Sequence, residues 1–193
     1  MSLRHAILVL LQDHPGSGYD LVSRFRSGIG HFWNATHQQV YQELKQLSRE
    51  RLVQHEVHEQ DEAPDKKVYQ VTRAGRQALG DWYQQVVKPP KLRDALLVKV
   101  YGAGPKQAPG LIQELEQHRL LQQKALAEYQ SLEAHYFAQD RATRERFRQP
   151  YLTLRRGIRY VQGTLEWIDE AIDWLRGGKL PTRPLLPVRP SKG

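Results

Sequence analysis

The 193-residue sequence predicts a mainly α-helical protein carrying one small β-hairpin, and three observations lead there. Apolar residues recur at steps of three and four through most of the chain, which is the helical period. One β-branched stretch, Leu52 to Val57 and Val68 to Val71, is interrupted by the turn-forming run Asp61-Glu62-Ala63-Pro64-Asp65. Directly before it, Thr36 to Arg49 reads as a helix with one apolar and one polar face. A helix that feeds straight into a hairpin is the local order of a winged helix-turn-helix, an architecture that docks on DNA.

The elements follow in order. Leu3, Ala6, Ile7, Leu10 and Leu11 form the apolar side of a first helix that ends before Pro15-Gly16. Ser17 with Asp20 three residues on is a capping-box signature, opening a second helix that carries Tyr19, Leu21, Val22 and Phe25 and stops at Gly28 and Gly30. Thr36 with Gln39 repeats that signature and opens the third. There Val40, Leu44 and Leu47 share one face, while Gln38, Gln42, Lys45 and Arg49 lie almost opposite. After the hairpin, Thr72 caps a fourth helix with Ala74, Ala78, Leu79, Trp82 and Val86. Lys88-Pro89-Pro90-Lys91 breaks the periodicity and predicts a domain boundary.

The second half is predicted to be helical throughout. Leu92 to Tyr101 reads as a short apolar helix closed by Gly102-Ala103-Gly104-Pro105. Leu111, Leu115, Gln122, Leu126, Tyr129 and Leu132 mark a long one ending near Gln139. In the last helix Tyr151, Leu154, Ile158, Val161, Leu165, Ile168, Ile172 and Leu175 alternate steps of three and four. That 3.5-residue repeat makes a coiled-coil-like seam. Gly157, Thr164 and Ala171 beside it would let another backbone approach, and Pro150 suits the first turn. The partner of the seam is either a second copy or the other long helix of the same chain. The tail, with proline at 181, 184, 187 and 190, reads as extended. The expected organisation is residues 1–88 as a winged helix-turn-helix domain, 89–178 as an all-α dimerisation and effector domain, and 179–193 as a Pro-rich tail.

Composition narrows the function. Charged residues make up 26% and hydrophobic ones 39%, values of an ordinary globular chain. A net charge of +8 is compatible with an anionic partner, although basic charge also serves solubility. Without cysteine there is no disulfide, thiolate metal site or cysteine nucleophile. The opening residues lack a signal-peptide pattern, and no run reaches the roughly 20 apolar residues of a membrane helix. The expectation is therefore a cytoplasmic protein with no membrane partner. His55 and His58, three apart in a strand, point to opposite faces, so no metal is expected. Nor does any phosphate loop, nucleophile elbow or carboxylate pair suggest an enzyme or a cofactor.

The polar face of the third helix has the chemistry of a major-groove reader. Glutamine amides match adenine edges, and Lys45 and Arg49 can reach guanine edges or phosphates. Tyr41 on the flank can donate to a phosphate oxygen, and Lys66-Lys67 at the start of the second wing strand can anchor another. The plainer readings are that exposed helices commonly carry Gln, Lys and Arg, and that the lysines guard a strand edge. Trp82, Tyr101, Trp167 and Trp174 could line a cavity for a flat aromatic effector, or simply pack.

The chain resembles the PadR family of bacterial transcriptional regulators, in its long form with a multi-helix C-terminal domain. Leu3-Arg4-His5-Ala6-Ile7-Leu8 and Ser17-Gly18-Tyr19-Asp20-Leu21 are similar to the family's first two helices. His31-Phe32-Trp33-Asn34-Ala35 resembles the link to the recognition helix, and Val40-Tyr41-Gln42-Glu43-Leu44-Lys45-Gln46-Leu47 that helix itself. Pro64-Asp65-Lys66-Lys67-Val68-Tyr69, with Thr72 and Gly75, resembles the wing and the start of the fourth helix. Arg93-Asp94-Ala95-Leu96-Leu97 and Tyr160 to Leu175 resemble its C-terminal domain. Two residues depart from the pattern. Arg51 stands where the family usually has glycine, and carries a strain cost if that position needs a positive φ. Asp65 stands where the wing often has arginine.

The resemblance implies a homodimeric repressor on double-stranded, pseudo-palindromic operator DNA, released by a small phenolic or other aromatic effector. The expected DNA contacts are Thr36, Gln38, Tyr41, Gln42, Lys45, Arg49, Lys66, Lys67, Arg4 and Tyr19. The expected dimer contacts are Leu154, Ile158, Val161, Leu165, Ile168, Ile172 and Leu175. The competing readings are a winged helix that binds another protein, and an enzyme using the helical half.

Overall fold

The computed structural model describes residues 3–27, 35–58, 66–89 and 91–179. Expectations for Gly28 and Gly30, for the link 31–34, for the wing tip 61–65, for Pro90 and for the proline-containing tail lie outside them. The chain divides into two compact units, Met1–Lys91 and Leu92–Gly193. Among the described residues no helix is long and apolar enough to cross a membrane.

The first unit runs α1 (Leu3–Asp13), β1 (Gly16–Ser17), α2 (Gly18–Ser27), α3 (His37–Arg49), β2 (Val53–His58), β3 (Lys66–Val71) and α4 (Arg73–Tyr83). Its core collects Ile7, Leu8 and Leu11 from α1, Leu21, Val22 and Phe25 from α2, and Val40, Leu44 and Leu47 from α3, closed by Val53, Val71 and Leu79. Each such aliphatic contributes roughly 1.5–3 kcal/mol by leaving water. Both predicted capping boxes form. Ser17 N–H donates to Asp20 at 2.9 Å while Asp20 N–H donates to the Ser17 hydroxyl at 3.1 Å. Thr36 and Gln39 exchange the same pair of bonds at 2.9 and 3.2 Å.

The sheet differs from the predicted two-stranded hairpin. It has three antiparallel strands in the order β1-β3-β2, because Gly16 and Ser17 pair with Tyr69 and Val68. Two residues are too few for a period-two signal, so the sequence hid this strand. Arg24 fixes the turn before it by donating to the carbonyls of His14 at 2.8 Å and Pro15 at 3.0 Å. The fourth helix stops at Tyr83, and Val86, expected on its apolar face, lies beyond it and is 95% exposed.

The second unit runs α5 (Ala95–Gly102), α6 (Ala108–Phe137), α7 (Arg141–Arg146) and α8 (Arg148–Leu175). The expected start of α5 at Leu92 is corrected to Ala95, since the Asp94 carboxylate caps it by accepting Leu96 N–H at 2.9 Å. α7 has six residues and no apolar period, so no sequence pattern announces it. α6 and α8 are antiparallel. Leu111 and Leu115 cluster with Ile168, Ala171 and Ile172 at one end, and Tyr151 stacks on Tyr136 at 4.2 Å at the other. Between them the Gly157 backbone fits against the Tyr129 ring.

This packing corrects the dimer expectation. Val161, Ile168 and Ile172 are 4%, 1% and 7% exposed within a single chain, and Leu175 packs against the same cluster. Leu154, Ile158 and Leu165 are half-buried. The physical reason is connectivity. Only a short linking segment separates α6 from α8, so the seam meets an antiparallel neighbour in its own chain.

Candidate nucleic-acid interface

The candidate surface is built on α3. Its inner face is pinned by three side chains with no exposed area, Val40, Leu44 and Leu47. Rigid anchoring of that face leaves Gln38, Gln42, Lys45 and Arg49 in solvent, as their spacing predicted. Thr36 is exposed at the N-cap, and Tyr41 is 49% exposed on the flank. Two amides and two cations thus project from one side of a helix whose first turn is capped, a surface able to donate to base edges and phosphates together.

Tyr19, in the first turn of α2, is 72% exposed. Next to it, a Cβ on Gly18 would come within 2.5 Å of the Tyr41 ring, so the absence of a side chain there seats Tyr41 against the start of α2. Sequence reading missed this role. The available signal was a glycine inside a capped helix start, where alanine would make the better helix.

The wing adds two cations. Lys67 is exposed, while Lys66 reaches Asp20 at 3.3 Å and keeps 43% of its side chain in solvent. Asp20 therefore caps α2 and tethers the wing strand at once. The Ser17 N–H, the Ser17 hydroxyl and the Lys66 ammonium hold its carboxyl below the usual carboxylate range. Across the hairpin, His55 sits opposite Tyr69 with ring centroids 5.2 Å apart, and burial pushes the Tyr69 phenol up.

Arg4 is the correction among the expected DNA contacts. Its guanidinium donates to Glu43 at 3.3 Å and to Glu50 at 2.8 Å, tying α1 to α3 from behind. Glu50 also accepts from Gln46 at 2.7 Å, and the Arg4 and Gln46 donors lower its carboxyl. A guanidinium already shared between two carboxylates is a structural clamp and makes a poor phosphate ligand.

α3 leaves this surface through a strained residue. Arg51 has φ 57°, the left-handed region. Its N–H reaches Ser48 O at 3.1 Å and the Leu52 N–H reaches Leu47 O at 2.9 Å, the paired bonds of a Schellman exit. The Thr72 hydroxyl then donates to the Arg51 carbonyl at 2.8 Å and accepts Gly75 N–H at 3.0 Å. The end of α3 is thereby joined to the start of α4.

The four aromatic rings expected around an effector do not form a common site within either unit. Trp82 stacks on His5 at 4.6 Å and 7° in the first unit. In the second, Tyr101 is 95% exposed, Trp167 packs on the core cluster and Trp174 is 41% exposed. A cavity of about 360 Å³ in the first unit is lined by Leu11, Gln54, Gln70, Arg73 and Arg76 among others. One of about 280 Å³ in the second is lined by Glu116, Arg119, Asp169 and Arg176 among others. None of the four rings borders either cavity.

Comparison with known proteins divides along the two units. Residues 7–81 match the transcriptional regulator PadR-like family, and residues 92–176 match the virulence activator alpha C-terminal family. The chain is 35% identical over 186 residues to the "Probable transcriptional regulator Rv1176c" of Mycobacterium tuberculosis, covering 91% of this chain and 98% of that one. It is 34% identical to the Vibrio cholerae virulence activator AphA, whose structure covers 91% of this chain and 99% of its own with a TM-score of 0.73. The Bacillus subtilis negative transcriptional regulator PadR is 38% identical over 102 residues, 51% of this chain and 55% of that protein. Its structure with operator DNA superposes with a TM-score of 0.75 at 26% identity, over 90% and 98% of the two chains. Its structure with p-coumaric acid superposes with a TM-score of 0.71 at the same identity and coverage.

Proposed function

The chain belongs to the PadR-like family of transcriptional regulators, and from that premise we propose that it is a homodimeric, operator-binding repressor released by a small phenolic acid. Its relatives are named as transcriptional regulators, which is not an enzymatic role. The observation that carries the reading is the outer face of α3, where Gln38, Gln42, Lys45 and Arg49 stand exposed over a fully buried Val40, Leu44 and Leu47. The operator complex and the p-coumaric acid complex of the Bacillus subtilis protein support the two ligand classes.

In this mechanism two copies set their α3 helices into successive major grooves about 34 Å apart. Gln38 and Gln42 read base edges, each good bidentate pair discriminating by roughly 1–3 kcal/mol. Lys45, Arg49, Lys66 and Lys67 neutralise phosphates, with hydroxyls of Thr36, Tyr41 and Tyr19 adding neutral contacts. Arg4 serves the fold instead. Dimerisation is supported by the apolar surface of the second unit, where Leu92, Val98 and Tyr101 are 76%, 71% and 95% exposed, an area that water disfavours. The effector acts by favouring a dimer whose two reading helices no longer match the groove spacing, a shift of population. The protein works in the bacterial cytoplasm, where its operator lies.

The test is fluorescence anisotropy on DNA flanking its own gene at two salt concentrations, repeated with p-coumaric acid. Tight binding that weakens steeply with salt and with acid supports the proposal. Gln38→Ala and Lys45→Ala variants that bind like the parent would overturn it, and a flat salt response with no footprint would mean a protein-interaction module. A second reading, activation in place of repression, is favoured by the match of residues 92–176 and by the 34% identity to AphA. The sign of a transcriptional reporter, with and without the gene, separates the two.

A further inference from the structure

The outer face of α8, opposite its buried seam, has an unusual distribution of charge. Arg148, Leu152, Arg155 and Arg159 follow one another at steps of four and three along its N-terminal half, all exposed. After Gln162 and Gly163 the same face continues as Glu166, Glu170 and Asp173, also exposed. Cations fill the first half and carboxylates the second.

Helix physics alone disfavours this order. The helix dipole prefers anions near the N-terminus and cations near the C-terminus, and here the ends are reversed. Arg155 and Arg159 are like charges at the i, i+4 spacing, as are Glu166 and Glu170, and Asp169 and Asp173, so the face repels itself in three places. Among the described residues Arg155, Arg159, Glu166 and Glu170 enter no ion pair. The Arg155 guanidinium lies over the Tyr151 ring, which orients it and leaves its charge uncompensated.

We propose that this face is half of a self-complementary contact, in which α8 of one protomer pairs with α8 of a second copy about a twofold axis passing at Gln162 and Gly163. A twofold axis across a helix makes the two helices antiparallel, so the basic half of each meets the acidic half of the other. In that register Arg159 faces the partner's Glu166 and Arg155 faces the partner's Glu170. Each pair occurs twice by symmetry. At the axis, nothing lies within 4 Å of where a Cβ on Gly163 would stand, so the helices can cross closely there. The 3.5-residue spacing of the face is also that of two helices packed at a shallow angle. Nucleic acid is a poorer occupant, because the carboxylate half of the face repels phosphate.

The inference rests on the homodimer proposed above and specifies one helix contact within it. Sedimentation velocity on the full chain tests it with Arg155→Glu, Glu170→Arg and the double variant. Each single reversal places like charges face to face twice per dimer and should weaken association at least about tenfold. The double variant should return to within about threefold of the parent. The pair Arg159→Glu and Glu166→Arg repeats the logic should a first variant fold poorly by circular dichroism. Because the chain has no cysteine, Gln162→Cys offers an independent readout. Oxidation should give a covalent dimer in high yield, whereas Arg148→Cys, far from the axis, should not. A parent that stays monomeric overturns both the homodimer and this contact. A dimeric parent whose single reversals associate unchanged, or whose double variant is not rescued, overturns this contact alone.

Discussion

Replacing Arg51 by glycine measures the strain at the end of the reading helix. Arg51 is the described non-glycine residue with a positive φ, at 57°, and both bonds of the Schellman exit depend on that conformation. A side-chain-bearing residue loses roughly 1–2 kcal/mol there, because its Cβ crowds the following carbonyl. Glycine removes the crowding but returns about 0.5–1 kcal/mol through its greater freedom in the unfolded chain. The balance is a net stabilisation of about 0.5–1 kcal/mol, the size expected of backbone substitutions that suit the native conformation. For a unit of this size that raises the melting temperature by about 2–6 °C. Scanning calorimetry of the full chain reads it in the transition of the first unit. Arg51→Ala is the control, since alanine also loses the charge but keeps its Cβ and should show no such gain. A glycine variant that melts lower than the parent, or an alanine variant that gains as much, would refute the strain argument.

Four further outcomes concern the same unit. Gly75→Ala sets a methyl onto the Leu52 carbonyl and against the Val71 side chain, and should cost about 1–3 kcal/mol, read as a lower melting temperature by circular dichroism. Gly18→Ala displaces the Tyr41 ring; operator affinity should fall, and in a Tyr41→Ala background the same change should have no further effect, a coupling that a double-mutant cycle measures. Lys45→Ala should shallow the log–log salt slope of DNA binding by about one unit, whereas Arg4→Ala should leave the slope unchanged and lower thermal stability, since its partners are Glu43 and Glu50. Asp20 has a carboxyl held below its ordinary value, so its contribution is present at neutral pH and is lost as pH falls through the folded value. Asp20→Asn should therefore melt lower at pH 7 and show a weaker fall between about pH 5 and pH 3 than the parent.

Signals that act within about four residues were readable. The Thr36–Gln39 and Ser17–Asp20 boxes, the Thr72 cap, and the split of α3 into a buried and an exposed face all depend on near neighbours, and all appear where the spacing put them. Contacts between distant residues were not readable. Nothing local to Arg4 announces carboxylates 39 and 46 positions away, so a cation at the chain start looked available for phosphate. The same holds for Lys66 on Asp20, for Gly18 under Tyr41, and for the two-residue strand that turns the hairpin into a sheet. Arg51 is the intermediate case, since only the comparison with a glycine-bearing pattern gave a reason to test its backbone.

α8 separates what a periodic pattern determines from what it leaves open. A 3.5-residue seam determines which side of a helix is covered, because those side chains must leave water together. It does not determine what covers them, since another helix of the same chain and a helix of a second chain offer the same apolar surface. Here the link through α7 is short, α6 arrives first, and Val161, Ile168 and Ile172 disappear inside one chain. Covalent connection supplies the nearer partner at high effective concentration, so an apolar seam beside a hairpin link is weak evidence for oligomerisation. Charge order on the opposite face carries more information about a second copy. Apolar groups accept any apolar neighbour, but a face that is repulsive within itself and complementary only to its own reversed image is selective for a twofold partner.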